Sequence, residues 1–422
     1  MSNNLRHLLW VALCAHGMAT AGSLPTAFER YGFTGGAQSQ GHYGSAIAPI
    51  GDSAGVEGLA VGSPNSASGA IGAVERWLDT GSGWQRVPMA TQPPMPPSGH
   101  HFGGALASFG TRLFATATSP PSAYVFEVQP GNQLATVLNQ SLQPQAQGTA
   151  GQRDGVTVAS FADYLAIGSL RNLDDSGTVE LFRLQGGQWT TTGQILSEPG
   201  SAPPDAAFGH GLAITEDRLF VGTPYFSPVA GEVLSGAVYE YTRPSSGGNW
   251  TLSGFQLLSD TTLPVDQPAQ LGYSLAAQGT VMVTGAPRLR LTNNGPEIGG
   301  ALVYQFDPGT NRWLLETVLP NPDATPDADF GAAVAVAGDW ILIGAPSSNG
   351  FDGRAYLFQR NDLGQWQPTL RLSSSAVGGH MFGQSVAFAR DGSFVVGAPN
   401  FAGGDGAFYV FLSDELLQDG FE

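Results

Sequence analysis

The fold of this chain is decided by residues 330–358, which read FGAAVAVAGDWILIGAPSSNGFDGRAYLF. Two short apolar runs occur in this stretch, at 333–336 and 340–343, and Gly338 and Asp339 separate them. Valine and isoleucine favour extended backbone, whereas glycine and aspartate suit a tight turn between antiparallel strands. The first half of the stretch therefore predicts a β-hairpin.

The second half completes a repeating unit. Gly344 and Pro346 end the hairpin, because glycine permits unusual backbone angles and proline has no amide proton to donate. A polar loop follows, an extended run returns at 355–358, and Trp366 begins a fourth strand. The unit is an antiparallel meander of about 55 residues, which is the length of one propeller blade.

The same pattern occurs seven times along the chain. Each copy begins at a glycine that follows an aromatic residue in most copies: Tyr43-Gly44, Phe102-Gly103, Asp154-Gly155, Phe208-Gly209, Leu271-Gly272, Phe330-Gly331 and Phe382-Gly383. Successive copies start 52 to 63 residues apart. The repeats predict an all-β fold over residues 22–412, a seven-bladed β-propeller of four-stranded antiparallel blades.

The seventh copy lacks a convincing fourth strand of its own. Only the short acidic tail 413–422 follows it, and we expect that tail to be disordered. The segment 28–33 begins 15 residues before Tyr43, much as Trp366 lies 16 residues before Phe382. We therefore predict that the N-terminal strand closes the ring in the last blade. The alternative is a disordered N-terminal arm with the tail as fourth strand.

Two copies carry a recognisable pair of motifs. Phe330-Gly331 precedes Gly344-Ala345-Pro346, and Phe382-Gly383 precedes Gly397-Ala398-Pro399. This combination resembles the FG-GAP repeat of integrin α-subunit heads and of many exported bacterial proteins. The second copy lacks the Gly-Ala-Pro element, and the third keeps only its glycine, Gly168. The resemblance implies a seven-bladed β-propeller that meets ligands through one face.

The N-terminus predicts export. Arg6 and His7 precede an apolar core at 8–15, and a small-residue cleavage site at 19–21 follows, so residues 1–21 read as a signal peptide. The alternative is a buried N-terminal segment. The apolar core is too short to span a bilayer, which needs about 20 residues. We therefore expect a secreted, periplasmic or cell-surface protein without a membrane span.

Composition limits the partners. The 422 residues carry a net charge of −17, which repels phosphate backbones and anionic lipid surfaces. Nucleic acid is therefore excluded as an expected partner. The single cysteine, Cys14, lies within the predicted signal peptide, so disulfides and thiol chemistry are not expected in the mature chain.

Metal sites have few candidates. The resemblance implies calcium sites in the loops between first and second strands, yet each of these loops offers one or two acidic residues, and calcium prefers six to eight oxygen ligands. We therefore expect no cofactor. Remaining metal candidates are Asp323, Asp327 and Asp329, and a histidine set of His42, His100, His101 and His380. The alternative for both sets is ordinary loop residues.

Catalytic motifs are weak. Ser274 and Ser385 lie in GYSLA and GQSVA, which lack the strand-turn-helix context of a hydrolase elbow.

The loops that follow the second strands carry aromatic and arginine residues, the types that most often anchor interfaces: Tyr225, Phe226, Arg288, Arg290, Phe351 and Phe401. We predict a monomeric, non-catalytic binding or adhesion module for a protein or glycan. The alternatives are a polysaccharide hydrolase or lyase with a site at the central channel, and a structural envelope component.

Overall fold

The computed structural model describes these parts of the chain: residues 26–28, 31–34, 41–51, 57–65, 72–79, 84–87, 100–118, 121–128, 136–145, 156–170, 176–199, 206–227, 234–244, 248–257, 261–264, 267–374, 378–389 and 392–411. Within them the regular secondary structure is almost entirely β-strand, as the repeats predict. The predicted signal peptide and the tail 413–422 lie outside the described residues.

Two strands precede the repeats, β1 (Thr26–Phe28) and β2 (Tyr31–Thr34). Blades one to three comprise β3 (Ile47–Gly51), β4 (Glu57–Ser63), β5 (Ala73–Asp79), β6 (Trp84–Val87), β7 (Leu106–Phe109), β8 (Arg112–Thr118), β9 (Pro121–Val128), β10 (Thr136–Leu142), β11 (Val156–Phe161), β12 (Tyr164–Ser169), β13 (Thr178–Gln185) and β14 (Gln188–Leu196). Blades four and five comprise β15 (Leu212–Ile214), β16 (Arg218–Thr223), β17 (Ala237–Thr242), β18 (Thr251–Leu257), β19 (Leu275–Gln278), β20 (Val281–Ala286), β21 (Gly300–Asp307) and β22 (Arg312–Pro320). Blades six and seven comprise β23 (Ala333–Ala337), β24 (Trp340–Ala345), β25 (Arg354–Arg360), β26 (Trp366–Ser373), β27 (Ser385–Phe388), β28 (Phe394–Ala398) and β29 (Ala407–Phe411).

Each blade pairs its strands in sequence order, and all pairs within the meanders are antiparallel. The first strands of neighbouring blades contact one another around the ring, and β27 of blade seven contacts β3 of blade one. The first strands therefore surround the centre, and the loops at their two ends surround the two openings of the central channel. The predicted seven-bladed β-propeller is confirmed.

The ring is closed by the N-terminal strand. β2 pairs antiparallel with β29, from Tyr31 opposite Val410 to Thr34 opposite Ala407, and so completes blade seven. The sequence placed this strand at 28–33, a few residues too early. The reason is β1, which ends at Phe28 and pairs in parallel with β26 on the outer edge of blade six. The N-terminal segment thus joins two neighbouring blades.

Neighbouring blades also meet through single backbone bridges. In four blades the glycine before the third strand pairs in parallel with the first residue of the next motif: Gly72 with Phe102, Gly236 with Leu271, Gly353 with Phe382, and Gly406 with Tyr43. Gly353 has φ +83°, and a Cβ there would collide with the backbone of Phe382. Only glycine fits, because both the backbone angle and the close approach exclude a side chain.

Aromatic side chains pack the blades against each other. Trp189 of blade three lies edge-on to Phe114 of blade two at 5.2 Å, and Trp313 of blade five to Phe220 of blade four at 5.1 Å. The tryptophan that opens the fourth strand therefore packs against the preceding blade. Such pairs contribute about 0.5–1.5 kcal/mol beyond area burial. The core is consequently distributed around the ring between successive blades.

The loops after Pro346 and Pro399 are more regular than predicted. Each forms one short turn with left-handed residues inside it, α1 (Ser348–Phe351) and α2 (Phe401–Gly404). Asn349, Gly350 and Phe351 have positive φ, and the N–H of Gly353 donates to the carbonyl of Ser348 at 2.9 Å. The turn thereby lifts Phe351 into solvent, where it is 56% exposed. Within the described parts of the chain, no helix is long and apolar enough to cross a membrane.

Candidate functional site

One opening of the central channel, here the channel mouth, is built from three positions of the repeat. The first is the residue before the motif aromatic, which has positive φ in each described copy: His42, His101, Ala207, Gln270, Asp329 and Met381. The second is the residue after the motif glycine, whose N–H donates to the carbonyl of the first position. For example, the N–H of Tyr273 donates to Gln270 at 3.2 Å. This turn leads directly into the innermost strand.

The third position is the residue after the proline that follows the second strand. Its N–H donates to the carbonyl of the residue two places before the motif aromatic, as from Tyr225 to Ala206 at 3.3 Å and from Arg288 to Ala269 at 3.3 Å. This bond ties the loop that varies between copies to the constant turn. Side chains at the three positions are therefore displayed together at the channel mouth.

Blades four to six carry a group of polar and aromatic side chains at these positions. We call it the mouth cluster, and it consists of His210, Tyr225, Tyr273, Arg288 and Asp329. The His210 ring lies 4.4 Å from the Tyr273 ring and 6.2 Å from the Tyr225 ring, to which it is nearly perpendicular at 84°. Arg288 Nε lies 3.6 Å from Asp329 Oδ1. All five side chains are half-buried, so they are held in place and remain accessible.

His210 has a defined tautomer. Its Nδ1 lies 2.7 Å from the carbonyl oxygen of Tyr273, and a carbonyl only accepts, so Nδ1 carries the proton. Burial lowers the pKa of His210, while the bond to Tyr273 acts in the opposite direction. The ring is therefore neutral at neutral pH and offers Nε2 as a hydrogen-bond acceptor.

Arg288 lies among three carboxylates. Its guanidinium is 3.4 Å from Glu297 Oε2, 3.8 Å from Asp327 Oδ1 and 3.6 Å from Asp329 Oδ1. Burial raises the pKa of Tyr273 to about 12, with Tyr225 and Asp329 adding to the rise and Arg288 opposing it. Burial likewise raises the pKa of Tyr225. Both tyrosines therefore keep their hydroxyl protons and act as donors.

Comparison with known proteins identifies the repeat. A family model of the FG-GAP repeat matches residues 313–358, which include the first and second motifs of blade six. The chain contains an FG-GAP repeat within a seven-bladed β-propeller. FG-GAP repeat proteins are typically extracellular or surface-exposed. No curated protein matches this FG-GAP propeller.

The propeller architecture is widespread among solved structures, of which 292 chains match. One is the crystal structure of a candidate 6-phosphogluconolactonase from Bacteroides fragilis NCTC 9343, with a TM-score of 0.51 and 12% sequence identity. The match covers 78% of the present chain and 86% of that chain. At this identity the likeness shows the fold alone.

The six predicted binding residues divide into three groups. Tyr225 and Arg288 belong to the mouth cluster, and Arg290 pairs with Glu297 beside it. Phe226 and Phe401 instead pack inwards, since the Phe226 ring lies 6.3 Å from Tyr239 and the Phe401 ring 4.8 Å from His380. Phe351 is exposed on α1. The structure therefore brings the predicted arginines together with one of the four predicted aromatic residues.

The three candidate aspartates do not converge on one point. Asp323 binds the guanidinium groups of Arg354 and Arg371 and accepts the Tyr356 hydroxyl at 2.9 Å. Asp329 accepts the Ser347 hydroxyl and pairs with Arg288, and Asp327 is 78% exposed at its side chain. Guanidinium groups thus occupy the places where a cation would lie beside Asp323 and Asp329.

The candidate histidines occupy two different layers. His42 and His101 stand at the first mouth position, and His101 Nδ1 lies 2.8 Å from Asn65 Oδ1. His100 and His380 lie one residue earlier and are buried, at 4% and 6% exposure. Burial lowers the pKa of His100. Among the described residues, no three histidine, cysteine or acidic side chains are arranged to hold a metal ion.

The two serines with nucleophile-like surroundings serve the blade contacts. Ser274 Oγ donates to the carbonyl of Gly331 at 2.8 Å, and Ser385 Oγ to that of Gly44 at 2.7 Å. Each acceptor is the motif glycine of the next blade. These hydroxyls therefore link blade five to blade six and blade seven to blade one.

Sequence reasoning missed two members of the mouth cluster. His210 and Tyr273 follow the motif glycines Gly209 and Gly272, where other copies have small residues such as Ser45 and Ala332. The signal was available, because large side chains at a constant repeat position mark a local specialisation. The ring geometry decides which of these large side chains lie close to one another, and the sequence does not show that.

Proposed function

We propose that this FG-GAP propeller is an exported, non-catalytic binding or adhesion protein that recognises a protein or glycan through the channel mouth. The observation that carries the proposal is the mouth cluster, in which Tyr225, Tyr273 and Arg288 are half-buried and displayed from neighbouring blades. Tyrosine and arginine contribute most to binding where neighbouring groups hold them in place. The predicted signal peptide at 1–21 supports export.

The charge arrangement supports recognition. Glu297, Asp327 and Asp329 all lie within 4 Å of Arg288, which holds them in ion pairs. Glycoside hydrolysis uses two carboxyl groups that flank the bond, one of them as a proton donor. Carboxylates engaged by a shared arginine suit positioning better than proton transfer.

One observation favours the second candidate, a polysaccharide hydrolase or lyase at the same opening. Neutral His210 presents an unshared electron pair on Nε2, and its ring lies beside those of Tyr225 and Tyr273. A positioned histidine is the commonest general base. The two candidates differ in one outcome, because an enzyme converts its polysaccharide whereas a binding protein returns it unchanged.

The test is an array that displays both glycans and extracellular proteins. We expect specific, saturable binding by the mature chain, and loss of that binding in Tyr225→Ala. Phe255→Ala is the matched control, because Phe255 is an aromatic residue on outer strand β18 of the same blade and is 52% exposed. The absence of any specific ligand, or equal loss in both variants, contradicts the proposal. A structural envelope role predicts that neither substitution changes the signal on the array.

A further inference from the structure

We propose that the mouth cluster binds an uncharged carbohydrate, with a sugar ring against Tyr225 and its hydroxyl groups bonded to His210 and Arg288. This inference rests on the proposed binding function and names its ligand class. It follows from three properties of the cluster: its charge balance, its hydrogen-bonding groups and its ring geometry.

The charge balance disfavours an anionic ligand. Arg288 and Arg290 lie beside the carboxylates of Glu297, Asp327 and Asp329, so the acids outnumber the arginines. Asp327 is 78% exposed at its side chain and would face an incoming ligand. An anion gains little from an arginine whose charge is already compensated, and it meets an exposed carboxylate. A neutral ligand avoids that repulsion.

The hydrogen-bonding groups match sugar hydroxyls. His210 Nε2 accepts, and the Tyr225 and Tyr273 hydroxyls both donate and accept. The contacts of Arg288 with its carboxylates are 3.4–3.8 Å long, whereas strong charge-assisted bonds are about 2.7–2.9 Å. One of these contacts is a long hydrogen bond from Nη1 to Glu297 Oε2, so a closer acceptor can compete for the guanidinium N–H groups. A sugar hydroxyl donates and accepts at the same time, so it satisfies both kinds of group.

The rings supply an apolar surface next to these polar groups. Tyr225 and His210 stand nearly perpendicular, at 84° and 6.2 Å, and form two sides of a corner at the mouth. Tyrosine combines an apolar ring with a polar tip, which suits ligands with both kinds of surface. A sugar ring has an apolar C–H face and polar edges. Stacking on Tyr225 would thus bring its hydroxyls towards His210 and Arg288.

The experiment uses the mature chain and defined oligosaccharides. Neutral cello-, xylo-, manno- and malto-oligosaccharides are compared with oligogalacturonate and sialylated glycans by array and then by titration calorimetry. We expect binding to a neutral series that does not depend on salt concentration, since no charge is neutralised. Tyr225→Ala should weaken it about tenfold, the loss of about 1.4 kcal/mol. Tyr225→Phe, which keeps the ring, should retain most of the affinity, as should Phe255→Ala.

Each other outcome has a definite meaning. Binding only to acidic glycans, or salt-sensitive binding, overturns the carbohydrate inference and leaves the binding function standing. Neutral-glycan binding that is unchanged in Tyr225→Ala overturns the inference and also the assignment of the binding function to the channel mouth. Specific binding to an immobilised protein without any glycan overturns the carbohydrate inference alone. Cleavage of a bound oligosaccharide, detected as new reducing ends, overturns the non-catalytic proposal itself. Circular dichroism of every variant confirms that the fold is retained.

Discussion

The Cα of Gly344 in blade six lies against the carbonyl oxygen of Gly383 in blade seven, so closely that a side chain at Gly344 would overlap that oxygen. The same relationship joins the corresponding glycines elsewhere in the ring: Gly62 with Gly103, Gly222 with Gly272, Gly285 with Gly331, and Gly397 with Gly44. In blade two, Thr116 takes this place, and its hydroxyl donates to the carbonyl of Val156 at 3.2 Å. The two halves of the FG-GAP motif therefore meet between blades.

Gly344→Ala should destabilise the propeller. The added methyl group must push blade seven away from blade six, and such overpacking costs about 1–3 kcal/mol. Urea denaturation of the two proteins measures the change. Gly338→Asn is the control, because a Cβ at Gly338 has nothing within 4 Å and asparagine tolerates its φ of +55°. Equal stability of Gly344→Ala and wild type would show that the blades adjust freely.

Removal of residues 22–36 should weaken ring closure. Without β2, strand β29 loses its partner from Tyr31 to Thr34, and blade seven gains an exposed edge. We expect a lower melting temperature and concentration-dependent association, measured by calorimetry and light scattering. Removal of 413–422 is the control, since blade seven already has four strands without it. An unchanged melting temperature after the first deletion would contradict closure by β2.

Asp323→Ala should destabilise the junction of blades five and six. Asp323 is the shared partner of Arg354, Arg371 and Tyr356, and its side chain is only 18% exposed. Loss of charged hydrogen bonds costs about 1.5–3 kcal/mol. Asp327→Asn, at a side chain that is 78% exposed and on a backbone with φ +54° that asparagine tolerates, should change the free energy of unfolding by about 0.5 kcal/mol or less. If both substitutions have the same effect, the Asp323 network does not support the fold.

Glu198→Gln should remove a pH dependence of stability. Burial raises the pKa of Glu198 from its ordinary value of 4.5, against the bond that Tyr239 donates at 2.6 Å. The native state therefore holds this proton more tightly than the unfolded state, and its contribution to stability is full below 4.5 and lost as the pH rises through the native pKa. Glutamine keeps the acceptor for Tyr239 without the charge.

The test of Glu198→Gln is to measure the free energy of unfolding of both proteins from below pH 4.5 to above the native pKa of Glu198. The advantage of Glu198→Gln over wild type should grow as the pH rises and then level off. His100 and His210, whose pKa values burial lowers from 6.5, act with the opposite sign. Their contribution is lost as the pH falls below 6.5 in both proteins, so it cancels in the difference. A difference that is independent of pH would contradict the burial argument.

Calcium should leave the melting temperature unchanged. A ligand that binds only the native state raises stability with its concentration, so a metal requirement is visible as a dose-dependent shift. The loops between first and second strands offer one or two acidic residues each, fewer than calcium prefers. Scans with added calcium, added magnesium and a chelator test this. A rise specific to calcium would reveal a site built from backbone carbonyls.

Local chemistry explains why so much of the fold was predictable. The Gly338-Asp339 turn, the strand end at Gly344 and the aromatic-glycine start are short-range signals, and they recur at a nearly constant period. The strand and turn assignment of one copy is checked by every other copy, because the same pattern recurs at the same position. The early placement of the closing strand at 28–33 shows the limit. An extended segment can pair with any sheet edge near it. Here β1 pairs with β26 of blade six, whereas β2 pairs with β29 of blade seven.

By itself, the sequence determined the number of blades, their strand order and the closure of the ring, because these depend on periodic backbone preferences that each copy carries locally. The tertiary structure decided which variable side chains meet. His210, Tyr225, Tyr273, Arg288 and Asp329 lie far apart in sequence, and they come together because the positive φ before each motif and the loop bond after each proline aim them at the same opening. That convergence is a property of the closed ring, which no single repeat contains.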